Sequence, residues 1–474
     1  MLQIGIFGLY FLIVFLIGWV SMRATRDEKD YWIAGGRLGW LVGGATLAAT
    51  HTSAGTFIGT IGVMYTAGWS FGWLVLSIPI AYWFTAAVLA PRFTRVRELT
   101  LPAFLEARYY SKGVRGLAAV IILVATVVYI QAQIVAGGLI ANVVFGVPRT
   151  WGMIGFTGIL LAYTIVGGMI AVVYTDFFQL GIMILGVVAA LPLAVQRVGG
   201  FGALFEHVQA VKPLTFTWQG LPPTLLFTMG LAFTLGSVAT PEKLTRLYAM
   251  KDMPTIRRGI LFAIIVVTGI NLCVFMLALV AIVLFPALPT GDLAMPMIAR
   301  AVLPPVLGTV MLAAITAAMM STVDSLLIVA GSALSFDIWQ NLIDPAISPA
   351  RRIWIDRLAI AIVGTVPVLL LLGGVAQGTL VQFIVLLFAA LMASSFFIPV
   401  VLGVYWRRAT REGAIASMIG GVTITFLWKM LGPSDIDPVL PGFIASALLM
   451  WFVSIATPRP PETAITPYFP SRAR

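Results

Sequence analysis

Ser321, Thr322 and Asp324 stand almost side by side in the run AAITAAMMSTVDSLLIVAG, which is otherwise apolar apart from Thr316 and Ser325. Two hydroxyls next to main-chain carbonyls form the ligand set of a small hard cation. Na⁺ is bound by oxygen of this kind, and a neutral nest of it holds the ion weakly enough to release it in every cycle. The competing fate of a Ser/Thr pair in an apolar helix is to bond back to the preceding turn. Asp324 resists that reading, because a carboxylate in hydrocarbon costs at least ~2.5 kcal/mol and by default marks a functional position, either ionised or protonated and bonded to a neighbour. Asp176, in AYTIVGGMIAVVYTDFFQLGIMILG, divides evenly between capping a helix and lining an ion path, and Gln179 one turn on reads as a polar contact between helices. Elsewhere, Cys273 is the single cysteine, and His51 and His207 are the two histidines. They build neither a disulfide framework nor a zinc cluster.

The elements that must carry these residues are membrane helices. Of 474 residues, 60% are hydrophobic and 10% charged, against roughly 45–50% and about 25% in soluble domains, and the mean hydropathy is +1.03. A soluble enzyme is excluded. The formal charge of +11 lies between apolar stretches rather than on one face, so it speaks for topology and not for nucleic acid. Thirteen apolar runs are long enough to cross ~30 Å of hydrocarbon: 4–22, 39–66, 70–90, 116–145, 150–168, 176–195, 220–240, 260–285, 303–335, 354–374, 380–402, 412–431 and 438–456. The first is too long for a signal-peptide core and lacks a cleavage site after it, so it is read as a retained helix. Because cytoplasmic loops keep Lys and Arg, an outside N-terminus and an inside C-terminus are expected. That arrangement leaves only Arg149, Arg197, Lys212, Arg300 and Lys429 outside. The segment from Pro286 to Pro305 is an ordinary outer loop or a lid, and the Pro-rich tail 457–474 is expected to be disordered.

Two runs carry break signals. The first contains Thr50-His51-Thr52-Ser53-Ala54-Gly55-Thr56, a Gly among hydroxyls that compete for backbone partners. The second contains Gly236-Ser237-Val238-Ala239-Thr240-Pro241, where proline removes a donor and disfavours helix at Thr240. One interrupted helix in each half points to the midplane binding site of an inverted-repeat transporter. The expected organisation is an extra helix and loop (1–38), a first repeat of five crossings (39–195), an external loop (196–219), a second repeat of five (220–402), two peripheral helices (403–456) and the tail.

The motifs DYWIAGGRLGW, SAGTFIGTIGVMYTAG, LTLPAFLEARY, YTIVGGMIAVVYTDFFQ and AAMMSTVDSLL, in this order and spacing over roughly residues 1 to 430, resemble the sodium:solute symporter family, in its proline and pantothenate branch. The resemblance implies a multi-pass protein of a bacterial inner (plasma) membrane. It also implies a sodium site made by the carbonyls of Ala49, Thr52 and Ala318 with the hydroxyls of Ser321 and Thr322. A second ion position would involve Asp176, Asp324 and Ser325. The solute would lie beside the first break, among Ser53, Gly55, Thr56, Tyr129, Gln131, Gln133, Phe233, Ser237 and Thr240. For Gln131 and Gln133 the bland alternative is pairing between helices, and for Phe233 it is plain packing. The chain departs from the family at His51, where proline- and sugar-type relatives carry an acidic or amide residue, and at Gly55-Thr56, where sugar carriers place a Glu/Gln pair. Sugar is therefore disfavoured.

Together these readings predict an all-α polytopic transporter that couples Na⁺ to import of a small organic solute, carboxylate or amino-acid-like, by alternating access. Proton coupling through His51 is the alternative. A transporter-derived sensor lacks a signalling domain in this sequence, and an enzyme lacks a convergent nucleophile, base or metal.

Overall fold

The structure, a computed structural model, describes residues 1–23, 28–375 and 378–469. Among these it is helical throughout, with one isolated parallel bridge between Leu38 and Met250. The principal helices are α1 (Leu2–Met22), α2 (Trp40–His51), α3 (55–67), α4 (74–93), α5 (Leu101–Tyr109), α6 (Lys112–Phe145), α7 (Arg149–Arg197), α8 (Gly200–Val211), α9 (Pro223–Ala239), α10 (Pro241–Ala249), α11 (Met253–Leu284), α12 (Pro305–Ser332), α13 (Pro349–Leu372), α14 (381–405), α15 (Arg411–Leu431), α16 (Val439–Ala456) and α17 (Glu462–Ile465). Eleven stretches of the described residues are long and apolar enough to cross a membrane. The thirteen expected runs differ from these eleven for local reasons. The run 39–66 is divided at the α2–α3 break and joins α4 through a turn at Gly68 (φ +73°), while the run 150–168 is the first half of α7, which bends at Gly168 (φ 65°, ψ −179°).

The centre of the bundle is α12, whose residues from Met311 onward are all buried through Ser332. Its small residues admit close neighbours: a side chain at Gly186 of α7 would meet Ala314 Cβ at 2.8 Å, the kind of approach by which helices associate where hydrophobicity supplies no difference between lipid and protein. α1, α15 and α16 instead turn large apolar side chains outward, Trp19, Trp451 and Phe452 among them. Lipid is the fitting solvent for such a surface.

The segment 286–305 is more than an ordinary loop. Short helical turns over 291–302 bury Ala294, Met295 and Ile298, and Asp292 Oδ2 accepts a hydrogen bond from Val381 N at 3.2 Å, tying the segment to the start of α14. The tail also departs from expectation. Ala464, Ile465 and Tyr468 are buried, Tyr468 meets Phe104 edge-on at 5.7 Å between centroids, and Arg407 pairs with Glu462 at 3.2 Å. A few apolar residues and one ion pair suffice to dock a Pro-rich segment, which composition alone does not register. Positions 470–474 of that expectation lie outside the described residues, as does Arg26 of the charge count.

Candidate ion and solute site

α2 ends where the break was expected. Thr52 is extended (φ −80°, ψ 104°) and the helix resumes at Ala54. In an unbroken helix the carbonyls of Ala49 and Thr50 would accept from the N–H groups of Ser53 and Ala54. Here those donors turn elsewhere: Ser53 N to Thr56 Oγ1 at 3.4 Å and Ala54 N to Gln133 Oε1 at 3.0 Å. The two released carbonyls face α12, and its hydroxyls reach them, Ser321 Oγ to Ala49 O at 3.1 Å and Thr322 Oγ1 to Thr50 O at 3.3 Å. Both hydroxyls also lie within 3.2 Å of Ala318 O. Ser321, Thr322 and Thr52 are buried completely, and Thr52 Oγ1 has no partner among the described residues. Back-bonding and cross-bonding of the hydroxyls therefore coexist, and the cluster is an uncharged set of oxygens suited to a desolvated Na⁺.

Beside the break lies a cavity. Ser53, Gly55, Thr56, Tyr129, Phe233, Ser237 and Thr240 line it, together with His51, Asn271, Gln382 and Phe388. The Ser53 hydroxyl is a hub, accepting from Gly55 N at 2.9 Å and from Tyr129 OH at 3.2 Å, while the Tyr129 ring stacks on Phe388 at 4.4 Å. Gln131 and Gln133 are buried but do not line the cavity. Gln133 instead serves the broken backbone through Ala54 N. The far wall is the second break: Thr240 is extended (φ −75°, ψ 129°) between α9 and α10, as Pro241 predicts.

The three residues expected at a second ion position are not gathered in one cluster. Asp176 Oδ2 pairs with Arg246 Nη2 at 3.1 Å and accepts from Thr46 Oγ1 at 2.5 Å, and the same guanidinium donates to Ser325 Oγ. A side-chain cation thus already stands between Asp176 and Ser325. Asp324 turns to Thr164 Oγ1 of α7, at 2.7 Å. Gln179 donates to Tyr10 OH at 3.1 Å, the interhelical contact expected of it.

Sequence reasoning missed Glu242, Lys243 and Arg246. The charge count put Lys243 and Arg246 in a cytoplasmic loop, but α10 continues into the bundle, Arg246 is fully buried, and Glu242 and Lys243 line the cavity. The available signal was the absence of any turn residue between Pro241 and Ala249, so that the charges follow the break directly.

Paired broken helices around one cavity, with an oxygen nest at the first break, define a secondary transporter built to hold a cation beside its solute. The sodium:solute symporter family profile matches residues 31–421, and the chain belongs to that family. It is 29% identical to the osmoregulated proline transporter OpuE of Bacillus subtilis over 96% of this chain and 95% of the relative, and 29% identical to the sodium/pantothenate symporter of Escherichia coli over 93% of each. Its fold is that of a Na⁺-coupled sialic acid symporter captured substrate-bound and outward-open, with a TM-score of 0.84 at 20% identity over 97% of this chain and 98% of the other. The protein is a membrane-embedded symporter with Na⁺ as its coupling ion.

Proposed function

We propose that this symporter imports a small carboxylate or amino-acid-like solute, in keeping with relatives named for proline and pantothenate. Sodium is held by the carbonyls of Ala49, Thr52 and Ala318 and the hydroxyls of Ser321 and Thr322, and the solute sits in the cavity among Ser53, Thr56, Tyr129, Ser237 and Thr240. The observation that carries the reading is the meeting of the Ser321 and Thr322 hydroxyls with the carbonyls released by the break in α2. Sodium binding fastens α2 to α12 and so completes the adjoining solute pocket. Each ligand then raises affinity for the other by the same factor. Rocking of the bundle exposes both to the inside, where low sodium empties the site.

The arrangement proposed with it has thirteen crossings, N-terminus outside and C-terminus inside. Residues 39–195 and 220–402 form two inverted repeats of five, with α2–α3 and α9–α10 as the broken first helix of each. α1 precedes this core, and α15 and α16 follow it. The Arg246–Asp176–Ser325 cluster disfavours a second ion at that place.

Uptake into proteoliposomes at fixed pH under an imposed sodium gradient tests the coupling. Ser321→Ala with Thr322→Ala should raise the sodium concentration for half-activation by about tenfold or more, two ion ligands each worth of order 1 kcal/mol, with expression unchanged. Unaltered sodium activation in that variant removes the site, and uptake that follows a proton gradient while ignoring sodium removes the coupling.

A further inference from the structure

The Pro-rich segment after α16 is held by contacts that its composition does not call for. Arg408 donates to the carbonyls of Ile455 at 3.1 Å and Thr457 at 2.5 Å where α16 ends, and the chain folds back onto the bundle. The guanidinium groups of Arg407 and Arg108 lie over the Phe469 ring at 5.7 and 5.9 Å, and Arg407 also pairs with Glu462 of α17. Tyr468 goes deepest. It is 1% exposed, although it stands beyond residues 31–421, where the family profile matches. The last residues of a domain stay loose unless something ties them down, and here the burial of an aromatic ring does so.

What Tyr468 touches gives that burial a consequence. Its ring meets Phe104 of α5 edge-on at 5.7 Å, Phe104 lies 4.5 Å from Phe93 at the end of α4, and Phe93 stacks on Tyr248 in the last turn of α10 at 4.8 Å. All four rings are less than 2% exposed. They form one column from the tail to the end of the second broken helix. α5 is anchored on its other sides as well, since Arg108 donates to Trp406 O at 3.1 Å and Glu106 accepts from Arg115 of α6 at 2.8 Å. The same two helices, α5 and α10, bound a small closed cavity together with α12, through Leu101, Pro241, Thr245, Ile328 and Ser332. Pro241 and Thr245 share one face of α10, four residues apart, while Glu242 and Lys243 line the solute cavity. α10 is thus the partition between the two cavities.

We infer that residues 458–469 are a strap that holds α5 against the end of α10, and so keeps the passage from the solute cavity toward the tail's side of the molecule closed. Opening that passage parts α5 from α10 across the small cavity, which breaks one ring contact of the column. With Tyr468 seated, α5 cannot yield, and the break must come at the α10 end with the burial of Tyr248 lost. Without it, α5 gives way first. A contact made only in the closed state shifts the population toward that state. The strap therefore sets how readily the passage opens and leaves the choice of ion and solute to groups elsewhere in the bundle.

Thiol labelling of the purified full-length protein in detergent decides the question, in a Cys273→Ser background carrying Ser332→Cys, a position 5% exposed in the small cavity. Tyr468→Ala should raise the labelling rate by about tenfold, the population shift that follows when one buried side chain held only by the closed state is lost. Tyr468→Phe keeps the ring and should leave the rate near that of the unsubstituted tail. Adding Phe469→Ala to Tyr468→Ala should raise it further. Thr309→Cys, 2% exposed near the other end of α12, replaces Ser332→Cys as the control and should stay unreactive with either tail. The inference is overturned if Tyr468→Ala, alone or with Phe469→Ala, leaves labelling at Ser332→Cys unchanged, or if Tyr468→Phe accelerates it as much as Tyr468→Ala. Reactivity gained at Thr309→Cys as well overturns it too, because the tail would then support the fold at large. Detergent opens both faces to the reagent, so the outcome depends neither on which face is cytoplasmic nor on sodium or solute. The transport reading is judged apart from it, by sodium-driven uptake and the Ser321/Thr322 substitutions.

Discussion

Two hydroxyls and two carboxylates that look alike as a sequence have different fates once placed. Ser321 and Thr322 turn to carbonyls released by a neighbouring helix, Asp324 finds Thr164, and Asp176 is neutralised by Arg246. The Asp176–Arg246 pair is wholly buried on both sides, where removing one member of a pair costs far more than removing both. Arg246→Met should thus destabilise the protein by about 3–5 kcal/mol, the penalty of an uncompensated buried charge. Adding Asp176→Asn should recover most of the loss. Denaturation of the purified protein in detergent measures both, and a double variant no better than the single one would mean that Arg246 acts through its bonds to Thr46, Ser325 and Glu242 rather than through the charge.

At the scale of elements, the breaks are sustained by partners far away in the chain. Gln133 on α6 takes up Ala54 N, and Thr322 on α12 takes up Thr50 O, so the gap in α2 is a tertiary feature as much as a local one. The outer segment is tied in the same way, through Asp292 to the first residue of α14. Burial pushes the Asp292 carboxyl from 3.8 up to about 6, against the pull of the Val381 N–H and the Arg149 charge. A folded pKa above the unfolded one means that the folded protein holds this proton more tightly. The associated stability is complete below 3.8 and is lost as pH rises through about 6. The melting temperature should accordingly rise on acidification across that window, and Asp292→Asn should flatten the slope; a slope unchanged by the substitution would assign it to other groups.

For the whole molecule, the expected orientation is open to labelling. In a Cys273→Ser background, Arg197→Cys should react with an impermeant thiol reagent added outside intact cells, and Arg411→Cys only after permeabilisation; the reverse pattern would invert the topology. Both positions are exposed. Class, helical content, both breaks and the hydroxyl pair were legible from composition and from local signals such as Gly55, Pro241 and the Ser-Thr run, because hydropathy and backbone preference act over a few residues and need no partner. The roles of Gln133, Glu242, Lys243 and Arg246 were not legible, since each is set by what faces it across the bundle, and a charge next to an apolar run reads the same whether its helix stops in a loop or continues into a cavity. So the chain by itself determined that it lives in a membrane, where it breaks, and where a pair of adjacent hydroxyls stands. Only packing decided which carbonyls those hydroxyls meet, which carboxylate is already neutralised, and which charges line the cavity, because pairing between residues far apart in the chain depends on how helices cross and not on their order.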